Sequence, residues 1–429
     1  MKIGTSGRLH YGWVVAALGF LVLLVAAGAR STPGVLMRPM ESTMGWSAAT
    51  ISLAVAINIV LFGLMGPFAA ALMQSIGVRK TILIGLLTVA LSTGATSFIQ
   101  TPGQLILTWG IGTGAGVGLI SIVLAATIAT RWFVERRGLV TGILTAANAT
   151  GQLVFLPPLA VVAQTYGWRP VGLVVASVAL VAAIPIALFM RERPADLGVL
   201  PVGAKEARAD DSPLLRTGNP IQAAFSTLHE ASRKRDFWLL FGTFFICGAS
   251  TNGFIGTHFI PACGDHGIPE VTAAGYLAMM GAFDLVGTTV SGFLTDRWNS
   301  RYLLLWYYGL RGLSLFFVPY AFAVNGPLGL SVFAMFYGLD WVATVPPTVR
   351  LTVDAFGREK GPLVFGWISA GHQIGAGTIA LIAGIIRTAQ GSYDTAFELS
   401  GILCLIAAIA VLTIGAGSRA ALRPSVASA

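Results

Sequence analysis

TAAGYLAMMGAFDLVGTTVSGFL, residues 272–294, carries a single charged side chain, Asp284, in 23 positions. At a helical rise of 1.5 Å per residue such a run is roughly 35 Å long, enough to cross the ~30 Å hydrocarbon layer of a bilayer. Runs of the same kind lie near 11–34, 47–75, 80–99, 104–128, 138–164 and 168–190, and again near 237–261, 302–322, 328–349, 362–387 and 393–417. Together they make six spans before residue 191 and six after residue 236. The composition agrees: 55% of the 429 residues are hydrophobic and 10% are charged. A globular protein carries about a quarter charged residues, so a water-soluble chain is excluded, and a disordered one would be richer still in charge. The chain reads as an all-α membrane protein with twelve transmembrane helices. Cys247, Cys263 and Cys404 have no paired spacing and define no disulfide framework.

The organisation follows from where the charges fall. Residues 1–190 form one six-helix bundle, 191–236 a linker and 237–429 a second six-helix bundle. The linker holds Arg191, Arg193, Lys205, Arg208, Arg216, Arg233, Lys234 and Arg235 among several prolines, and a short amphipathic helix is expected at 221–235. With the amino terminus inside, 22 of the 27 Lys and Arg residues lie in inner segments, and only Arg38, Arg169 and Arg387 lie in outer ones. By the positive-inside rule both termini and the linker are cytoplasmic, in a bacterial-type inner membrane. The net charge of +9 therefore reports topology rather than a nucleic-acid partner. Ala27-Gly28-Ala29 resembles a signal cleavage site, but the apolar stretch is too long for a signal peptide and is read as a retained helix.

The two halves repeat. Arg136-Arg137-Gly138-Leu139-Val140-Thr141-Gly142 opens the fifth span, and Glu359-Lys360-Gly361-Pro362-Leu363-Val364-Phe365-Gly366 opens the eleventh. With one inserted residue, Thr145, Asn148 and Gly151 correspond to Ser369, His372 and Gly375. Repeated halves with a site at their interface are the architecture of secondary transporters.

The loop Gly292-Phe293-Leu294-Thr295-Asp296-Arg297 resembles a pattern of the major facilitator superfamily, in which a Gly and an Asp-Arg pair gate the inner side; the matching place in the first half has Gln74 instead of the Asp. Tyr11-Gly12-Trp13, Arg131-Trp132-Phe133, Tyr166-Gly167-Trp168-Arg169 and Phe283-Asp284 narrow the resemblance to the monocarboxylate transporter and oxalate/formate antiporter branch. It implies two pseudo-symmetric six-helix bundles, and an Asp in the eighth span that serves the proton. Asp284 matches that Asp, whereas the family's Arg four residues on is Thr288 here. The family's basic position in the first span is Ser31, beside Arg30. Asp296 and Arg297 are the implied gating residues.

Charged side chains inside a bilayer are costly, about 2.5–3.5 kcal/mol each even on lenient scales, and mark function or a buried pair. Counting inward from the inner helix ends, Asp284, Arg311, Asp340 and His372 each lie ten to twelve residues deep, in one layer near the midplane. In the functional reading Asp284 and Asp340 exchange protons while Arg30 or Arg311 receives the substrate anion on its guanidinium fork. In the structural reading Arg311 and a carboxylate form a permanent pair that fixes helix packing. His372, Asn148, Asn58 and Asn252 are further substrate-binding candidates. Pro157-Pro158 and Pro346-Pro347 are placed to kink moving helices.

Other chemistry finds no support. Gly112, Gly114, Gly116 and Gly118 imitate a dinucleotide fingerprint but sit in a membrane helix, where close packing explains them. His258, Cys263, Asp265 and His266 match no zinc spacing, and no metal or cofactor is assigned. No phosphate loop or HExxH motif occurs. The expected protein is a monomeric, proton-coupled symporter of a small organic anion, a carboxylate, working by alternating access. Its partners are that solute, protons and membrane lipids. Exchange or efflux of a larger organic solute is the alternative, and an enzyme is not expected.

Overall fold

The computed structural model describes residues 10–120, 122–204, 220–323 and 327–415, apart from a few side chains within helices. Grouped by their breaks, the described helices make twelve crossings. In the first half α1 is Tyr11–Ser31 continued by Pro33–Met44, α2 is Ala48–Leu64 with Gly66–Ser75, α3 is Val78–Thr96, α5 is Arg137–Tyr166 and α6 is Arg169–Phe189. Between them α4 begins at Pro102–Leu105, widens into a π turn at Ile106–Thr113 and ends in Gly114–Leu119 and Ile122–Trp132. In the second half α7 is Arg235–Gly248, a π turn Ala249–Ile255 and Gly256–Asp265; α8 is Glu270–Thr295 and α9 is Ser300–Ala323. Helix α10 begins at Pro327–Asp340, breaks, and resumes at Val345. The continuous stretch Val345–Gln390 is divided at Gly357, whose φ of 81° ends α10 and starts α11. Helix α12 is Asp394–Ala410 with a last turn at Val411–Thr413. A linker helix occupies Pro220–Ala231, overlapping the expected 221–235 but ending four residues earlier, with Arg235 already opening α7, while Lys205, Arg208 and Arg216 lie outside the described residues.

Each half returns the chain to the end where it entered. Tyr11 at the start of α1 donates its hydroxyl to the Phe189 carbonyl at the end of α6 (2.6 Å), and Gly415 beyond α12 donates its N–H to Asp236 at the start of α7 (2.8 Å). Both pairs close at the linker side, called here the terminal end.

The four alternating glycines of α4, Gly112, Gly114, Gly116 and Gly118, act through packing. A Cβ on Gly114 would lie 2.8 Å from Asn58 Cα, and one on Gly118 2.5 Å from Met65 Cβ, so this face of α4 presses on α2. One on Gly112 would meet Ser92 and one on Gly116 the backbone of Val89 and Gly85, so the other face presses on α3. Spacing by four puts each pair on one face, and the offset of two turns the pairs toward different neighbours. Large apolar side chains such as Leu91, Phe98, Val181, Leu328 and Ile409 are exposed, as a surface solvated by lipid requires.

Two sequence boundaries are corrected. The first span continues through Pro33 to Met44 because Pro opens the second segment at its first position, where no amide is needed. The seventh reaches Asp265, so His258, Cys263 and Asp265 all lie on a helix.

Candidate functional site

Where α1 breaks and α7 carries its π turn, the halves line a small open cavity of about 40 Å³. Its polar lining is Arg30 and Ser31 from α1, Asn58 from α2, Asn252 and Thr257 from α7, and Gln373 from α11. Among the described residues Arg30 is the one charged side chain on this surface, and no carboxylate lines it. Arg30 occupies the last turn of Tyr11–Ser31, just before the break, and its guanidinium lies 4.6 Å from the centre of the Phe62 ring. Ser31 and Thr32 turn their hydroxyls back to the Gly28 carbonyl, satisfying the helix end within the chain.

The amides differ in what they have left to offer. Asn58 donates to the Trp109 carbonyl in the π turn of α4 at 2.7 Å. The side chains of Asn252 and Gln373 make no hydrogen bond to the described residues. Asn252 sits within the π turn of α7, its own carbonyl accepting from Thr257 at 2.9 Å. Gln373 crosses α2 at Gly63, where a Cβ would lie 2.5 Å from its own.

The other charges gather elsewhere, at the break in α10. One end of the break belongs to Arg311 of α9, which has no exposed surface. Its Nε donates to Asp340 Oδ2 at 2.5 Å, and its Nη2 donates to the carbonyls of Asp340 at 2.6 Å and Trp341 at 3.3 Å. A cation thus closes the orphan carbonyls of a helix C-terminus, where the dipole also favours it. Its Nη1 reaches Cys247 Sγ and Ser250 of α7, and the Tyr308 and Tyr337 rings stand nearby. The other end of the break belongs to Asp284 of α8. Its Oδ1 accepts from the Val342 N–H at 2.9 Å and from Thr288 at 2.8 Å. The residue standing where the family has Arg therefore hydrogen-bonds the carboxylate. Asp340 Oδ1 is buried with no hydrogen-bond partner among the described residues.

Three of the four charged groups placed in one layer by the sequence thus meet, but around a helix break and not on the cavity wall. His372 packs its ring 4.8 Å from that of Phe244, and its buried Nδ1 has no hydrogen-bond partner among the described residues. The next residue, Gln373, lines the cavity. On a helix one residue is about 100° of rotation, and a repeat aligned with one insertion cannot fix that angle. The Asn148 side chain lies outside the described residues, as does that of Gln74. Asp296 and Arg297 are exposed at the end of α8, the guanidinium 3.5 Å from the Phe293 ring.

Two further sites carry chemistry that their spacing does not announce. Glu192, beyond α6, accepts from the N–H groups of Val78 at 2.6 Å and Arg79 at 2.9 Å, capping α3 after Gly77, and it lies 3.7 Å from Arg131. The polar residues at the far end of α7 are each engaged. His258 bonds Tyr393 and the Ala380 carbonyl, His266 bonds the Ala262 carbonyl and stacks on Phe322, and Asp265 pairs with both nitrogens of one face of Arg387 at 2.6 and 2.8 Å.

Comparison with known proteins covers nearly the whole chain. The family model of the Major Facilitator Superfamily matches residues 19–353. Monocarboxylate transporter 13 of Bos taurus is 26% identical over 94% of this chain and 89% of its own. The uncharacterised MFS-type transporter YcxA of Bacillus subtilis (strain 168) is 23% identical over 96% of this chain and 94% of its own. A bacterial homologue of the human lysosomal transporter Spinster, in an inward-facing and occupied conformation, superposes with a TM-score of 0.72 at 17% identity, covering 96% of this chain and 98% of that one. At that identity the likeness establishes the fold.

Proposed function

Because the chain belongs to the Major Facilitator Superfamily, and is therefore a transporter and not an enzyme, we propose that it carries a small organic anion, a carboxylate, by alternating access coupled to a proton. The observation that carries this reading is the cavity between the halves, on whose wall Arg30 is the one charged side chain among the described residues. A guanidinium meets a carboxylate with two parallel hydrogen bonds and keeps its charge at any working pH. The surrounding groups are neutral, so a bound anion meets no repelling carboxylate. The similarity to monocarboxylate transporters supports the same solute class.

Asp284 is assigned the proton. It is buried beside the α10 break and bonded to a backbone N–H, so its charge state bears on a helix discontinuity rather than on the solute directly. Arg311 and Asp340 are assigned to holding that break, and Asn58 and Asn252 to the cavity side, while Asn148 stays a binding candidate from the sequence alone. His372 stays a binding candidate through its open nitrogen, and Asp296 with Arg297 a gating pair at the terminal end. The domain limits 1–190, 191–236 and 237–429, a bacterial inner membrane, cytoplasmic termini and a monomer complete the proposal. Exchange or efflux of a larger solute has no observation of its own in its favour.

The test is counterflow of labelled short-chain carboxylates in proteoliposomes. Arg30→Ala is expected to weaken half-saturation at least tenfold, because a charge-assisted hydrogen bond is worth about 1.5–3 kcal/mol, while the melting profile stays near wild type. Asp284→Asn keeps both accepted hydrogen bonds through its amide oxygen, so it should fold, exchange solute and lose uphill uptake. Unchanged counterflow in Arg30→Ala would remove the anion reading, and intact proton-driven accumulation in Asp284→Asn would remove the coupling one.

A further inference from the structure

The cavity wall holds more hydrogen-bonding capacity than a carboxylate uses. Arg30 answers a carboxylate from the side of α1. From the second half come two amides, Asn252 on α7 and Gln373 on α11, which make no hydrogen bond to the described residues. Both residues are partly exposed, so their amides are open to a solute that enters the cavity. Both amides are also held in place. The π turn fixes Asn252, whose backbone carbonyl is tied to Thr257, and the close crossing at Gly63 fixes the stem of Gln373. Elsewhere the wall is closed by apolar side chains such as Leu156 and Leu277.

We infer that Asn252 and Gln373 are specificity-determining residues for a second, uncharged polar group on the solute, a hydroxyl, carbonyl or amide, so that the preferred ligand is a two-ended molecule bridging Arg30 of one half and the amides of the other. This rests on the anion reading above and sharpens it. The charge census decides the character of the second group. With no carboxylate on the described wall, an ammonium would have no counter-charge and would stand near a guanidinium. An amide offers both a donor and an acceptor, so it meets hydroxyl and carbonyl alike. A plain alkyl carboxylate offers these amides no hydrogen bond in place of the water it displaces, which is how a site built on hydrogen bonds rejects the analogue that lacks the group. Because the two ends are gripped by different halves, such a solute also ties the halves together when it binds.

The experiment measures binding to the purified full-length protein in detergent by calorimetry. The probes are pentanoate, the hydroxypentanoates with the hydroxyl moved in turn along the chain, and the corresponding aminopentanoates. Wild type is expected to bind one hydroxypentanoate on the order of tenfold more tightly than pentanoate, the gain of one to two net hydrogen bonds, and no aminopentanoate more tightly than its hydroxyl counterpart. Asn252→Leu and Gln373→Met, near-isosteric changes, should each erase most of that preference while pentanoate affinity stays put. Arg30→Ala should weaken all carboxylates by a similar factor and keep the preference. Equal affinity for pentanoate and every hydroxypentanoate in wild type, or a preference that survives both substitutions, overturns the inference and leaves the anion reading standing. Carboxylates that fail to bind, or that bind regardless of Arg30, overturn the anion reading and this one with it.

Discussion

A guanidinium with no exposed surface inside a bilayer protein needs every one of its donors answered, and Arg311 answers most of them with the severed end of α10. That arrangement separates the two sequence readings of the residue by what each variant would do. Arg311→Ala leaves the Asp340 carboxylate buried without its partner and two helix carbonyls open, so a loss of about 3–5 kcal/mol of stability is expected. It would be read as a lower melting temperature and weaker expression. Arg311→Met with Asp340→Leu removes both charges and should recover part of that stability, since an apolar pair of similar volume often replaces a buried ion pair without loss. If the recovered double variant still performs counterflow, the pair is a brace; if it folds and binds no anion, Arg311 belongs to the solute path. The sequence showed that Asp284, Arg311 and Asp340 share a depth, because depth needs only counting. It allowed for the pairing of Arg311 with a carboxylate, but did not show that Arg311 and Asp284 would also bond the backbone on the two sides of a helix break. A break in a helix has no residue-type signature beyond Pro346-Pro347, and the break itself lies at 341–344, just before them.

Elements were legible where composition alone decides, and misjudged where geometry does. Twelve apolar runs are a count, but Pro33 reads as an end and acts as a beginning, and the face that His372 presents depends on an angle that no repeat alignment supplies. The alternating glycines of α4 show the same division. Their packing role follows from their setting in a membrane helix, whereas the assignment of Gly114 and Gly118 to α2 and of Gly112 and Gly116 to α3 requires the structure. Gly114→Ala places a methyl 2.8–2.9 Å from the Cα and carbonyl oxygen of Asn58, backbone atoms that cannot step aside. Such overpacking costs about 1–3 kcal/mol, and a fall of several degrees in the melting temperature is expected. Gly142→Ala in α5 meets nothing within 4 Å and should be neutral or slightly stabilising through helix propensity.

Across the whole molecule, the linker helix joins what the membrane halves keep apart. Its Phe225 packs 5.5 Å from Trp367 of α11, and its Glu230 accepts from Lys360 at 2.6 and 2.7 Å. The Lys360 ammonium holds the Glu230 carboxyl below its ordinary range, and the sign of the consequence is fixed. The contribution is complete above the carboxyl's unfolded value, and it is lost as pH falls through the lowered folded one. Because both groups are well exposed, the effect is screened by salt and small in stability. The expected signal is local: fluorescence of Trp367, assigned by a Trp367→Phe control, changes on acidification below the usual carboxylate range. That transition is absent in Glu230→Gln and is blunted at high salt. A transition that persists in Glu230→Gln would detach the linker helix from this contact.

The packing of α2 on α11 at the end away from the linker has one more consequence. There Gly377 and Gly384 meet the carbonyls of Ala56 and Ala48, and the Ala49 N–H donates to Thr388. Main chain laid directly against main chain leaves no gap wide enough for a thread of water, and hydrocarbon supplies no force that would hold such surfaces half apart. A barrier of this kind is insulating while shut and lost all at once when it parts. This seam should therefore carry no ion current while it is shut, as a leak measurement on proteoliposomes without solute would read.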